Sequence, residues 1–357
     1  MREDADYAEV HQKDYELTLD PTRILDQLND DTQLRLDDNR IRDLLDDPIE
    51  LEMHSLPPSP SHLVDASQFF AIIIGIDAYG SYPLRGCVSD ALLMEKYLTE
   101  DLGVPGNHIQ LLLGSGEHTS PDDQMNPSRA NIINALTSLA ANDEVKFGDI
   151  IIIYFAGHGS SYPPSEDGVT YGVIETLCPL DRDSLDAYGK PIPDISDREF
   201  NTILSRIAEA KGHRITVILD CCHHSGASRC LPEAGSRTLP PMLSVTLQDM
   251  LLAGENNLKY YPSYRSILAK DWYPDTESHV LLAACKDYQF AKEKKVNIDN
   301  GTRYNGIFTD ALARALRSSN WNKEMTYTDL VRYLGKTSQQ TPVAAGKRRG
   351  ARIWYQE

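Results

Sequence analysis

The sequence has no apolar run longer than about half a dozen residues, against the roughly 20 that a membrane-spanning helix needs. Its first residues, Met1-Arg2-Glu3-Asp4, offer no apolar signal-peptide core. A membrane partner is therefore not expected, and the expected location is the cytoplasm, with the nucleus as the other intracellular option. The six cysteines contain no CxxC pair, which argues against a disulfide framework or a zinc ribbon and for free thiols in a reducing compartment. Basic residues are scarce, with 35 Lys and Arg against 53 Asp and Glu and a net charge of −18. Such a surface repels nucleic acid, the short Lys347-Arg348-Arg349 cluster notwithstanding. No internal repeat is present.

The charge is uneven. Residues 1–66 carry 18 acidic and 6 basic side chains, hence −12, which leaves −6 for the remaining chain. Few aromatics and the Pro-Pro-Ser-Pro-Ser stretch from Pro57 complete the composition of a segment that cannot bury enough apolar surface to order itself. The reading is an acidic N-terminal segment over 1–66, with short helical stretches at most around Ile24–Leu28 and Ile41–Leu45, followed by one domain over 67–357.

Within that domain, strand and helix patterns alternate. Phe69–Ile76, His108–Leu113, Ile150–Phe155, Ile215–Leu219 and His279–Cys285 read as buried strands. Val88–Leu98, Ser128–Ala140, a helix from Asp197, Gly306–Arg317 and Tyr327–Leu334 read as helices. Ser196 is placed to cap the Asp197 helix, with Glu199 three residues on as in a capping box. The pattern predicts an α/β fold with a mostly parallel sheet covered on both faces, and function at the carboxyl ends of the strands. The proline-bearing stretch Gly226–Thr276 is the exception and reads as irregular, a linker over about 227–276 between halves at 67–230 and 277–357.

Two strand ends carry chemistry. One runs out into Gly157-His158-Gly159, the other into Asp220-Cys221-Cys222-His223. A thiol needs a base to become a nucleophile near neutral pH, and an imidazole on a neighbouring strand tip supplies one. Cys222 and His158 are the candidate dyad. Cys221 is the rival, since adjacent strand residues face opposite ways and only one can meet His158. Four contiguous Cys and His residues cannot converge on one tetrahedral zinc, and a cysteine-phosphatase loop lacks its Arg at the required spacing.

These motifs resemble caspase-fold cysteine peptidases, and within them the metacaspase-like proteins of fungi. The resemblance spans about residues 68–355 and rests on Gly75-Ile76, Leu84-Arg85-Gly86-Cys87 with Asp90, Tyr154-Phe155-Ala156-Gly157-His158-Gly159, Cys178-Pro179-Leu180-Asp181 and Asp220-Cys221-Cys222-His223, with later support at Gly306-Ile307-Phe308-Thr309. It implies that Cys222 is the nucleophile and His158 the base, with the N–H groups of Cys222 and Gly159 forming an oxyanion hole. Glycine at 157 and 159 would keep the approach of substrate clear. It further implies that Asp90 and Asp220 line the primary specificity pocket and select Arg or Lys over Asp. The partners expected are protein or peptide substrates with a basic P1 residue, acted on by a monomer rather than a dimer.

Departures from the pattern are Ala156, where a serine is common, and the extra His224. No cofactor is expected. Calcium as an activator is left open, with Asp167, Asp194 and Asp197, and Glu199 beside them, as weak candidates. The linker offers Arg229, Arg237, Arg265 and Lys270 to an enzyme that cuts after basic residues, so self-processing there is set against an uncut lid. The alternative reading is a catalytically inactive caspase-fold regulator or scaffold.

Overall fold

The structure is a computed structural model; it describes residues 65–356 apart from 117–122, 164, 167–168, 171, 223–234, 262–263, 287–288, 299–300, 319–323 and 336–339. The acidic segment, the extra His224, Arg229 and Asp167 thus lie outside the described residues.

In chain order the elements are β1 (Phe69–Ile76), α1 (Cys87–Lys96), β2 (Ile109–Gly114), α2 (Arg129–Ala141), β3 (Ile150–Ala156), β4 (Gly159–Tyr162), β5 (Ser165–Glu166) and β6 (Val169–Thr170). There follow β7 (Ile174–Leu177), β8 (Ile195–Ser196), α3 (Asp197–Lys211), β9 (Ile215–Asp220), α4 (Leu247–Leu258), β10 (Val280–Ala283), β11 (Glu293–Ile298), β12 (Gly301–Gly306), α5 (Ile307–Arg317), α6 (Tyr327–Leu334) and β13 (Val343–Ala345). Six strands form the central sheet in the order β13-β10-β9-β3-β1-β2. All neighbours are parallel except β10 and β13.

Every residue of β1, β3 and β9 is buried. That is the signature of a parallel strand covered on both faces, and it is why these strands read as unbroken apolar runs instead of alternating ones. Helix α1 packs on β1, β2 and β3 and against α5, which meets α6, while α2 packs against α3 and α3 against α4. The chain moves from β1 outward to β2 and then back across to β3, so the strand order reverses at β1, where open α/β sheets place their ligand crevice. No helix among the described residues is long and apolar enough to cross a membrane.

Helix α3 buries Phe200, Ile203, Leu204 and Ile207, the expected stripe, and the Ser196 hydroxyl accepts the Glu199 N–H at 3.1 Å. The reciprocal half of the capping box is not made. The Glu199 carboxylate turns instead to Arg129 on α2 (2.5 Å) and to the Asn257 side chain on α4 (3.1 Å), tying three helices together.

Two stretches read as irregular contain structure. The loop after β3 holds a three-stranded sheet, β4-β7-β8, and a β5-β6 hairpin; strands of two to four residues are too short to leave a periodic pattern. Within Gly226–Thr276 lies the 12-residue helix α4, capped by Thr246 and burying Leu247, Met250, Leu251, Gly254 and Leu258. Its spacing is helical, but prolines before and after it masked the signal. The hairpin β11-β12 was likewise not anticipated, because its strands are largely polar.

Helix α4 supplies the check on this correction. Leu251 is fully buried, so Leu251→Ala is expected to lower stability by about 2–5 kcal/mol in urea denaturation. A loss within measurement error would mean that the segment is not packed as a helix.

Candidate active site

β1, β3 and β9 end side by side, with Gly75 level with Ala156 and Ala156 level with Asp220. Two residues beyond these last positions, the chain presents His158 from β3 and Cys222 from β9. Both are 1 % exposed.

His158 is held by its surroundings. Its backbone N–H donates to the Tyr79 hydroxyl oxygen at 2.9 Å, that hydroxyl donates to the Cys178 carbonyl at 2.9 Å, and the two rings lie 4.6 Å apart. Its Nε2 is 2.7 Å from the Tyr82 carbonyl. A carbonyl can only accept, so Nε2 carries the proton and Nδ1 keeps its lone pair. Nδ1 is buried and has no hydrogen-bond partner among the described residues. Tyr82 sits at φ 59°, a left-handed conformation that a tyrosine adopts only when its surroundings impose it, and this turn aims its carbonyl at the ring. Burial is the main cause that lowers the imidazole pKa to about 4, against the raising effect of the Tyr82 bond and with help from the charges of Arg182 and Arg237. The ring is therefore neutral at pH 7 and able to accept a proton.

Cys222 makes no hydrogen bond to His158. Its sulfur receives the Ala291 N–H and lies 3.5 Å from the Cys285 sulfur. Cys221 is buried as well, and burial raises its thiol pKa well above the ordinary range.

Beneath the dyad is an acidic pocket. Asp90 and Asp220 are both fully buried, and a cation stands between them. Arg237 donates from Nη2 to Asp90 (2.6 Å) and from Nη1 to Asp220 (2.8 Å), with Glu293 3.5 Å from Nη2. Neutral donors complete the pocket. Asp90 accepts from the Gly306 N–H (2.8 Å) and the Asn305 amide (3.0 Å), and Asp220 accepts from the Thr309 hydroxyl (2.6 Å) and N–H (3.2 Å). Gly306 and Thr309 lie at the start of α5, so the positive end of that helix faces both carboxylates. A Cβ on Gly306 would lie 2.7 Å from both the Arg237 Nη1 and the Asp90 Oδ2, so no other residue fits the pocket floor. Burial pushes the Asp90 carboxyl up to about 7; the guanidinium opposes this and the Asp220 charge adds to it.

The backbone of Arg237 is held as firmly as its side chain. Its carbonyl oxygen receives two N–H groups, from Cys222 and from Gly159, each at 3.1 Å. Its own N–H donates to the Ala291 carbonyl (3.0 Å), the Glu293 N–H donates to the Gly235 carbonyl (3.0 Å), and the Leu239 N–H donates to the Gly159 carbonyl (2.8 Å). Residues 236–239 thus cross the site between β4 and the start of β11, bridging Ser236 to Lys292 on one side and Thr238 to Gly159 on the other. Just beyond, Arg182 holds the Pro240 carbonyl at 2.7 Å.

The caspase-domain family model matches residues 68–345 of this chain. The chain belongs to that family. Relatives include metacaspase-3 of Arabidopsis thaliana, 33 % identical over 163 residues that make up 45 % of this chain and 41 % of that protein. Metacaspase-1A of Aspergillus oryzae is 31 % identical over 167 residues, 45 % of this chain and 35 % of that protein. The chain thus spans less than half the length of these relatives. A solved protein from Geobacter sulfurreducens shares the fold, with a TM-score of 0.52, 21 % identity and coverage of 81 % of this chain and 96 % of that one. The relatives come from plants as well as fungi.

Within this caspase domain the sequence-derived candidates fare unequally. His158, Gly159, Cys222, Asp90 and Asp220 come together around one residue, Arg237. Of the calcium candidates, Asp194 and Glu199 are engaged by cations: the Asp194 carboxylate meets Arg182 (2.8 Å) and the Tyr162 hydroxyl (3.1 Å), and Glu199 meets Arg129. Asp197 starts α3, where desolvation and the neighbouring Glu175 charge push its carboxyl up to about 7. The glycine at 157 is explained differently from expectation. A Cβ there would strike the Tyr79 hydroxyl at 2.6 Å and the Phe155 ring at 2.8 Å, so it makes room for the support of His158 and not for substrate.

Asp77, Cys87 and Glu293 lie within ligand distance of one another, but their oxygens are engaged. Asp77 accepts the N–H groups of Cys87 (2.8 Å) and Val88 (3.2 Å), and Glu293 accepts that of Gly86 (2.7 Å). They serve the N-terminus of α1, where anions are favoured. Glu293, Asn305 and Tyr82 were not found from the sequence, because none stands in a distinctive motif; Thr309 was noted only as the end of Gly306-Ile307-Phe308-Thr309, without a role. All four reach the site only by tertiary folding.

The buried cation gives a measurable consequence. In a Cys222→Ala background, Arg237→Met leaves Asp90 and Asp220 facing each other without a counter-charge, and is expected to cost about 3–5 kcal/mol at pH 8. The folded-state pKa of Asp90 lies above its ordinary 3.8 and rises further without Arg237. Variant and wild type differ in Asp90 proton binding only above the wild-type value of about 7, so this penalty grows as pH rises through that value and falls away below it. Denaturation across pH checks it, and a pH-independent penalty would contradict the charge argument.

Proposed function

We propose that this protein is a cysteine endopeptidase that uses Cys222 and His158 to cleave peptide bonds after Arg or Lys, and that its own Arg237–Thr238 bond is one of its substrates. The observation that carries the reading is the seat of Arg237. Its side chain fills a pocket of carboxylates, and its carbonyl receives two N–H groups beside a thiol.

The chemistry follows from those positions. The Cys222 thiol gives its proton to His158 Nδ1, and the sulfur attacks the carbonyl carbon of the P1 residue. Negative charge gathers on the carbonyl oxygen, where the N–H groups of Cys222 and Gly159 stabilise it. The imidazolium, steadied by the Tyr82 carbonyl, passes its proton to the departing amine as the C–N bond breaks. Water then hydrolyses the thioester. An Arg fork suits the pocket because it can face Asp90 and Asp220 at once. An Asp side chain would add a buried negative charge to several others.

Of the four basic residues noted in the linker, Arg237 alone is held in this pocket among the described residues. In the uncut chain its strand occupies the positions a substrate would take, so the intact protein is latent and cleavage frees the cleft once the new end at Arg237 withdraws.

Activity on Arg-ending peptide reporters is expected to fall at least about 1,000-fold in Cys222→Ala and His158→Ala and to survive Cys221→Ala. Turnover of Asp-ending reporters above that of Arg-ending ones would overturn the reading, and so would the absence of any Cys222-dependent activity, which the scaffold alternative requires. Both preparations are assayed with and without added calcium.

Acid should weaken the Arg reporter. With Arg237 seated, burial raises the Asp90 carboxyl to about 7, and it lies higher still once Arg237 has left the pocket; protonation removes a charge that attracts the P1 cation, so kcat/KM is expected to decline as pH falls, beginning at or above pH about 7. The decline should flatten in Asp90→Asn, whose value is low throughout.

Terminal sequencing of self-processed protein is expected to find a new N-terminus at Thr238. Cys222→Ala and Arg237→Gln should each remain one chain. Arg237→Gln, with no anchor in the pocket, should nonetheless turn over added Arg reporters. A fully active wild-type preparation that stays intact would refute the processing step while leaving the peptidase reading in place.

A further inference from the structure

The candidate nucleophile has a second sulfur against it. Cys285 follows β10, the strand beside β9, and the Ala284 N–H extends their pairing by donating to the Leu219 carbonyl at 2.9 Å. This carries Cys285 to the same end of the sheet as Cys222, with the sulfurs 3.5 Å apart. A disulfide needs about 2.05 Å, a gap that side-chain rotation can close. Cys222 is nearly inaccessible, whereas Cys285 is only half-buried and its thiol points to the Gln289 carbonyl at 3.5 Å. Cys87 and Cys178 are also buried, but their sulfurs belong to the α1 terminus and to the Arg182–Asp194 surroundings. The base His158 and the donors on the Arg237 carbonyl have no need of Cys285, so its contact with Cys222 is unused by the peptidase chemistry.

We infer that Cys222 and Cys285 form a hydroperoxide-responsive thiol pair, in which oxidation joins the two sulfurs and reversibly switches the site off. The inference rests on the reading of Cys222 as the reactive thiol. Cys222, once its proton has gone to His158, attacks one oxygen of hydrogen peroxide. The O–O bond breaks, the sulfur becomes a sulfenic acid, and the hydroxide takes the proton back from His158 and leaves as water. The Cys285 sulfur then attacks the Cys222 sulfur; the S–O bond breaks, and the hydroxyl leaves as a second water with the Cys285 proton. Two thiols are oxidised to one disulfide and one peroxide is reduced to two waters. The order of attack is set by the sites. The contact with Cys222, together with burial, raises the Cys285 thiol pKa and keeps it protonated at rest, while only Cys222 has an imidazole on the neighbouring strand end. Closing the pair would shield Cys222 from further oxidation to the irreversible sulfinic and sulfonic acids, and a dithiol would restore it.

The test uses the full chain, reduced, then treated with hydrogen peroxide, alkylated and digested without reductant. Mass spectrometry is expected to find the Cys222 and Cys285 peptides joined with the loss of two hydrogens. Activity on the Arg reporter should vanish and return with dithiothreitol. Cys285→Ser and Cys285→Ala should give no joined peptide, accumulate Cys222 sulfinic acid, and stay inactive after dithiothreitol; Cys221→Ser should behave as wild type. In protein cut after Arg237 the pair spans two fragments, so peroxide should also hold them in one band on a non-reducing gel. A bridge from Cys285 to Cys221, or equal over-oxidation of Cys222 with and without Cys285, overturns the inference. A joined peptide in a chain without peptidase activity would instead leave the thiol pair standing and remove the peptidase reading.

Discussion

A guanidinium buried among carboxylates organises the carboxyl end of this sheet. Asp90 comes from α1, Asp220 from the end of β9, Glu293 from β11, and the donors of Gly306 and Thr309 from the start of α5. None of these acids could remain charged in the interior without a counter-charge, and Arg237 could not be buried without them. The pocket therefore exists as one cation shared among several acids, joining the two halves of the domain. Removal of Arg237 leaves the acids with a desolvation cost and no counter-charge.

The same interaction fixes the backbone of residues 235–239. With the Arg237 side chain anchored, its carbonyl falls where the N–H groups of Cys222 and Gly159 converge, and the flanking residues add to strand edges on both sides. A pocket that holds a guanidinium and an edge that pairs with a neighbouring backbone are separate features, and one residue of the chain satisfies both. The depressed imidazole pKa belongs to this closed arrangement. It follows from burial, and it leaves Nδ1 unprotonated and without a hydrogen-bond partner among the described residues.

Much of the fold was legible because a parallel sheet buried on both faces writes its strands as apolar runs. β1, β3 and β9 stood out for that reason, and the residues after them were where chemistry had to be sought. The elements that escaped have polar or very short sequences: β11 and β12 are mostly polar, β4, β7 and β8 are two to four residues long, and α4 is framed by prolines. Glu199 shows a different limit. Its spacing from Ser196 signalled a capping box, yet a buried Arg129 on another helix is a stronger partner for a carboxylate than a helix-end N–H.

By itself the sequence singled out the candidate residues: a thiol and an imidazole on neighbouring strand ends, two acids, and a surplus of negative charge concentrated in the first 66 residues. Those follow from residue type and hydrophobic period, which are local. What only the tertiary structure decided is which of the linker's basic residues meets the acids, which nitrogen of His158 holds the proton, and which thiol stands beside Cys222. Arg237 is 147 positions from Asp90, and Cys285 is 63 from Cys222. Pairings across such separations depend on strand order and on the balance of buried charge, and neither is written in any local stretch of the chain.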